Sequence, residues 1–125
     1  MTPESQIKAL AELDGWNSLG QDAEMTEHWI QFPREVISRL SYGEIRKQRV
    51  WCLPSYLTSY DAIIPLVRKY IQTHNIDFFN ELRDVVCADA DEPRNLDYTT
   101  LLGMVLATPA QLSEALLRAT GKWED

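Results

Sequence analysis

The chain has 125 residues, of which 45% are apolar and 25% are charged, a balance typical of one globular domain. Its net charge of −7 argues against broad binding to nucleic acid backbones, which requires a basic footprint, but leaves room for a local basic patch. No apolar run approaches the roughly 20 residues of a membrane helix, and the acidic N-terminal segment lacks the features of a signal or transit peptide, so we expect a cytoplasmic protein with one domain at residues 1–125.

The first predicted element is a helix near the N-terminus. Thr2 suits its N-cap, and Pro3 suits its first position, where a missing N–H costs nothing. Gly15 predicts its end, and Trp16 is expected to fold back onto the helix. Residues 17–26 are predicted to form a loop.

The next segments predict strands and one short helix. Residues 27–33 fit a short strand that Pro33 stops. Residues 34–40 fit a helical piece that Gly43 breaks. Residues 48–53 are the strongest strand candidate, because they contain a valine and a tryptophan and end at a proline.

The stretch at residues 53–71 carries the densest apolar face and predicts the central helix. Thr58 and Asp61 have the spacing of an imperfect capping box, which would place Pro65 beyond the first turn and bend the helix there. The apolar positions at helical spacing are Ile63, Ile64, Val67, Tyr70 and Ile71.

The sequence pattern of residues 77–107 leaves the secondary structure open in places. Residues 77–86 have helical spacing, but a strand is also compatible with them. Residues 88–97 are rich in acids and predict an exposed loop. Residues 98–107 suit either a buried strand or a helix.

The last predicted helix has the clearest start. Thr108, Pro109 and Gln111 combine a cap, a first-position proline and a capping-box partner. Gly121 predicts its end. Together the elements predict one helix-rich α+β domain in which helices cover a short β-sheet.

Few residues suggest catalysis, and we expect no catalytic group, no metal and no cofactor. His28 and His74 fit structural positions, and a pair of Cys87 with His74 has no supporting signature. Both Cys52 and Cys87 are expected to be free, buried thiols. An acidic set could supply oxygen ligands to a divalent cation, but a solvated loop is the better interpretation; it comprises Asp84, Asp89, Asp91, Glu92 and Asp97.

A compact basic run is the main candidate for binding. Residues 34–50 contain five basic and two acidic residues, the reverse of the whole chain. This run could be an ordinary exposed helix end. It could also form an anion site with the free N–H groups that start the central helix, with nearby aromatic rings, Trp51 among them, stacking on a ligand. No glycine-rich loop supports the second interpretation. Its candidate ligand-binding residues are Arg46, Lys47, Arg49, Tyr56, Ser59 and Tyr60.

Three short motifs resemble a known family. They are Gly-Trp at residues 15–16, the turn LPSYLTSYD at residues 53–61, and Thr-Pro at residues 108–109. With these motifs the chain resembles the phage ABA sandwich domain, a family of small phage and prophage proteins. The region at residues 77–107 departs from the family by being longer and more acidic. The resemblance implies helices flanking a small sheet and implies little about activity.

The expected function is binding without catalysis. The family context implies a phage or prophage accessory protein in the host cytoplasm, which could antagonise host defence by sequestering a small anionic nucleotide signal or by capping a host protein. The alternative is a structural or assembly-associated phage protein without a small ligand. A homo-oligomer is compatible with either role, and an enzyme is the least favoured class.

Overall fold

The computed structural model of the chain describes residues 1–74, 77–90 and 103–124. It confirms the helix-rich α+β class. The helices are α1 (Pro3–Leu13), α2 (Arg34–Ile37), α3 (Tyr42–Gln48), α4 (Tyr60–His74), α5 (Phe78–Ala90) and α6 (Pro109–Ala119), and the strands are β1 (Asn17–Gln21) and β2 (Glu27–Ile30). No helix in these three ranges is long and apolar enough to cross a bilayer.

The chain's contacts cluster into two compact units, which are described separately. One is Leu10–Pro54, and the other combines Met1–Ala9 with Ser55–Asp125. The prediction of a single domain over residues 1–125 therefore stays a prediction.

Helix α1 begins and ends as its sequence predicts. The Ser5 N–H donates to Thr2 Oγ1 at 3.1 Å, so Thr2 is the N-cap. At the other end Gly15 has a φ of +87°, and the Trp16 N–H donates to the Ala11 carbonyl at 2.9 Å. This 6→1 hydrogen bond across a left-handed residue is the Schellman ending, which favours glycine because glycine has no Cβ to clash.

The Leu10–Pro54 unit contains the sheet. β1 pairs antiparallel with β2, with an irregular register between Ser18 and Gln21. The predicted strand in residues 27–33 is confirmed for its first four residues. The prediction of a loop for residues 17–26 is wrong where β1 forms, because its polar sequence NSLGQ carries no strand signal and only pairing with β2 makes it a strand.

The strand predicted at residues 48–53 is wrong. Gln48 ends α3, and only Val50 forms an isolated bridge, exchanging two N–H···O hydrogen bonds of 2.7 and 2.8 Å with Trp29. Beyond that bridge the chain leaves the sheet. Cys52 is therefore exposed and not buried as expected, whereas Cys87 is buried, and both are free thiols.

Gly43 does not break a helix. The predicted helical piece ends at Ile37, and a second helix begins after Ser41, whose hydroxyl accepts a hydrogen bond of 3.2 Å from the Glu44 N–H. Gly43 lies inside this second helix, α3. The serine cap decides the boundary here, because it satisfies a free N–H of the first turn.

In the Ser55–Asp125 unit, α4 begins later than its capping pattern predicted. The helix starts at Tyr60, so Ser59 and not Thr58 precedes its first residue, and the Ile63 N–H donates to the Ser59 carbonyl at 3.2 Å. The helix continues past Pro65 to its end at His74.

Helix α6 packs against α5 and α4. The helical interpretation of residues 77–86 is confirmed, and residues 88–90 belong to α5 and not to the predicted loop. Residues 103–105 are helical, which agrees with the helical alternative there. Residues 91–102, which carry the rest of both predictions, lie outside the described residues.

The ends of α6 match their predictions closely. Gln111 N–H donates to Thr108 Oγ1 at 3.2 Å, and the Thr108 N–H donates to Gln111 Oε1 at 2.9 Å, which completes the capping box. Gly121 has a φ of +74°, and the Lys122 N–H returns to the Leu117 carbonyl at 2.8 Å. Both ends are thus determined by residues within one helical turn.

Two glycines lie in helical segments, and replacing each by alanine is expected to change the stability in opposite directions. A Cβ on Gly103 would lie 2.7 Å from Val86 Cγ1, whereas a Cβ on Gly43 meets nothing within 4 Å. We expect Gly103→Ala to lower the free energy of unfolding by about 1–2 kcal/mol, since overpacking outweighs the gain in helix propensity. Gly43→Ala is the matched control and should raise it by about 0.5–1 kcal/mol. Urea denaturation measures both, and shifts in the same direction would contradict the close contact.

Candidate functional site

An apolar groove of about 500 Å³ lies between α4 and α5 in the Ser55–Asp125 unit. Its floor contains the buried side chains of Val67, Leu82 and Leu112. The segment at residues 104–107 lines it as well. Concave surfaces with apolar walls are the usual form of a binding site.

Large apolar side chains on the groove walls are exposed to solvent. The exposed fractions are 62% for Phe79, 80% for Val105 and 38% for Ile64. Phe78, by contrast, is 3% exposed, because neighbouring helical residues point about 100° apart. Single exposed apolar residues are ordinary, but several around one groove mark an interaction surface.

One hydrogen bond links the start of α4 to the segment at residues 104–107. The Tyr60 hydroxyl donates to the Ala107 carbonyl at 2.8 Å. Its ring is 50% exposed and lines the groove. This bond ties together two of the segments that line the groove.

Arg68 is the one charged residue among the described residues that line the groove. Its guanidinium forms no ion pair or hydrogen bond with any residue in the described ranges. Lys69, the next residue on α4, lines an adjacent depression and lies 5.9 Å from the centre of the Tyr70 ring. The groove therefore offers apolar walls with one unpaired cation.

The six residues predicted to bind a ligand are divided between the two units. Arg46, Lys47 and Arg49 belong to Leu10–Pro54, whereas Tyr56, Ser59 and Tyr60 belong to Ser55–Asp125. Tyr60 lines the groove and Ser59 is half-buried.

The prediction that Tyr56 stacks on a ligand is wrong. Its exposed fraction is 0%, and the Ser113 hydroxyl donates to its backbone carbonyl at 3.0 Å. Tyr56 is therefore part of the hydrophobic core. Sequence alone could not separate it from Tyr60, because both lie in the same tyrosine-rich turn.

The basic run lies at the end of α3. Arg46 and Lys47 are exposed on its last turn, and Arg49 follows as the C-cap. Trp51 is 70% exposed, and its ring meets the buried His28 edge-on, with centroids 6.2 Å apart.

His28 stabilises the turn between the two strands. Its Nε2 lies 2.8 Å from Asp22 Oδ2, while Asp22 Oδ1 accepts hydrogen bonds from the Glu24 and Thr26 N–H groups at 2.9 and 3.0 Å. These bonds, the one with His28 above all, lower the pKa of Asp22. His28 Nδ1 is buried and has no hydrogen-bond partner in the part of the chain that the structure describes.

The acidic set is partly engaged in contacts within its own unit. Asp89 Oδ2 accepts a hydrogen bond of 2.9 Å from Gln111 Nε2. Asp84 Oδ1 lies 3.6 Å from Arg83 Nε. Its other three members lie outside the described ranges. Within those ranges, no three His, Cys, Asp or Glu side chains are grouped so that they could hold a metal ion.

Sequence reasoning missed the groove. Phe79 stood beside the helical apolar pattern of α5, and an aromatic residue next to such a face is the signal that points to it. Arg68 carried no signal of its own, because arginine on a helix is ordinary.

Comparison with known proteins adds no relative. No family model matches the chain, and no curated protein or solved structure is similar to it. The resemblance to the phage ABA sandwich domain stays an expectation.

Proposed function

We propose that this chain is a non-enzymatic binding protein whose groove captures an amphipathic helical segment of a partner protein. The partner's apolar side chains enter between α4 and α5, and one of its carboxylates pairs with Arg68. The observation that carries this proposal is the grouping of exposed Phe79, Val105 and Ile64 around a groove whose described lining has one cation, Arg68, with no partner in the described ranges. Helix-in-groove recognition uses this combination of surfaces.

The energy available fits a specific but reversible complex. Complete burial of a large apolar side chain contributes roughly 1.5–3 kcal/mol. Phe79 and Val105 are largely exposed, so a partner that buries them would gain most of this free energy. Several such side chains from both partners, less the cost of association, correspond to a dissociation constant on the order of micromolar.

Arg68 supplies the specificity. The chain has a net charge of −7, so most of its surface repels an acidic partner, whereas this groove places a cation beside apolar walls. A carboxylate on the partner pairs with the guanidinium in two parallel hydrogen bonds. A lysine of the partner at the position of that carboxylate would be repelled by Arg68. Arg68 therefore also fixes the orientation of the bound segment.

The resemblance to phage proteins supports the setting that we propose. There the chain acts as a phage or prophage accessory protein in the host cytoplasm and caps a host protein through this groove. The alternative role, in phage assembly, would place a phage protein in the same groove. Both roles use the same chemistry.

A displayed library of random peptides of about 15 residues, four helical turns, tests the groove. Wild-type protein should enrich peptides with apolar residues at helical spacing and one acidic residue. Phe79→Gln should weaken their binding by about tenfold, because Phe79 is the most exposed aromatic ring among the described residues of the groove wall.

Met25→Gln is the matched control, since Met25 is 71% exposed and lies in the other unit. It should leave peptide affinity unchanged. Enriched peptides that bind wild type and Phe79→Gln equally would overturn the proposal. Self-association of the wild type that Phe79→Gln abolishes, seen by sedimentation, would instead assign the groove to a second copy of the chain.

A further inference from the structure

We propose that the Leu10–Pro54 unit carries a separate site for a small nucleotide, whose base stacks on Trp51 and whose phosphates meet Arg46 and Arg49. This site goes beyond the peptide groove and shares no residue with it. It retains part of the predicted basic run and replaces the buried Tyr56 by Trp51 as the stacking ring.

Trp51 is an exposed ring on a fixed backbone. Its indole is 70% exposed, yet the residue before it, Val50, exchanges two hydrogen bonds with Trp29 of β2. Its ring also meets His28 at an interplanar angle of 84°. A large ring that is positioned by the backbone and open to solvent offers a stacking surface without a large loss of conformational entropy on binding.

Both arginines lie close to this ring in the chain, Arg49 two residues before it and Arg46 five residues before it. Val50, between Arg49 and Trp51, is bridged to Trp29 as a strand residue is, and the two residues that flank a strand residue face the side opposite to it, so Arg49 and Trp51 share a face. Arg46 precedes Arg49 by three residues and lies in the last turn of α3, which ends at Gln48.

Within the described residues, neither guanidinium has an ion-pair partner. Arg46 and Arg49 form no ion pair with any residue that the structure describes, although the chain has 19 acidic residues. An anionic ligand therefore displaces no partner among the residues of the described ranges. Guanidinium groups bind phosphate oxygens in pairs, which suits a ligand with one or more phosphates.

The charge distribution selects a small ligand over a polymer. Residues 34–50 contain five basic and two acidic residues, whereas the whole chain has a net charge of −7. A nucleic acid strand would extend past the basic run onto acidic surface and be repelled. A ligand with a ring for Trp51 and a phosphate for the arginines is a nucleotide.

Nuclear magnetic resonance of the full chain tests this site directly. The four tryptophans give indole N–H signals, and Trp51→Phe assigns one by removing it. The probes are the mono- and triphosphates of adenosine, guanosine, cytidine and uridine at millimolar concentration, with adenosine, inorganic phosphate and an oligothymidylate as comparisons. We expect a nucleotide to move the Trp51 signal and to leave the signal of Trp16, whose indole N–H is buried, unchanged.

Variants then separate the two contacts. Trp51→Ala should weaken nucleotide binding by about tenfold, as loss of stacking does. Arg46→Ala and Arg49→Ala should each weaken it by about tenfold, and more so at low salt. Arg39→Ala is the matched control, since Arg39 is an exposed base in the same unit, and it should change affinity little.

Four results would overturn the proposal. They are no movement of the Trp51 signal with any nucleotide, equal movement with adenosine, equal movement with inorganic phosphate, and tighter binding of oligothymidylate than of every nucleotide. The second and third would mean ring stacking alone and an adventitious ion only. The last would assign the surface to single-stranded nucleic acid.

Discussion

Tyr56→Ala is expected to lower the free energy of unfolding by about 3–5 kcal/mol, as removal of a buried aromatic ring does. Tyr56 is among the largest fully buried side chains of the described residues, with an exposed fraction of 0%. Its removal leaves a cavity, because its backbone is held in place by the hydrogen bond from Ser113. Urea denaturation of the variant and the wild type measures the difference.

The control for this prediction is a tyrosine on the surface. Tyr42 is 69% exposed in α3, so Tyr42→Ala should change the free energy of unfolding by less than about 0.5 kcal/mol. If Tyr56→Ala cost less than about 1 kcal/mol, its ring would not be part of a packed core. The earlier hypothesis of Tyr56 as a stacking residue for a ligand would then have to be taken up again.

Arg68→Glu is expected to reverse the charge preference of the groove. Peptides with an acidic residue that bind the wild type should lose at least about tenfold in affinity, because two carboxylates would meet beside apolar walls. The same peptides with lysine at the acidic position should bind the variant better than they bind the wild type. Fluorescence anisotropy of labelled peptides measures all four pairs.

Lys69→Glu makes the same change of charge at the next position. Lys69 lines the adjacent depression and not the groove, so its reversal should leave the peptide preference unchanged. A similar loss in both variants would mean that the overall field of α4, and not pairing with Arg68, attracts the peptide. If neither Arg68→Glu nor Lys69→Glu changes the affinity, the partner does not need a carboxylate for binding.

The sequence by itself determined both ends of α1 and of α6, because each of these ends depends on hydrogen bonds within one turn. Thr2 and Thr108 cap the helices that they were predicted to cap, and Gly15 and Gly121 end them in left-handed conformations. A side-chain oxygen or a positive φ at one position is enough for such a boundary. Thr58 and Gly43 were wrongly predicted as boundaries, because α4 begins after Ser59 and Gly43 lies inside α3.

Only the tertiary structure decided which residues are buried, which pair as strands and which form a site. β1 is polar and becomes a strand only because β2 lies beside it. Tyr56 and Tyr60 come from one turn, yet the first is enclosed and the second lines the groove. Burial and strand pairing depend on residues far away in the chain, and no local pattern carries that information.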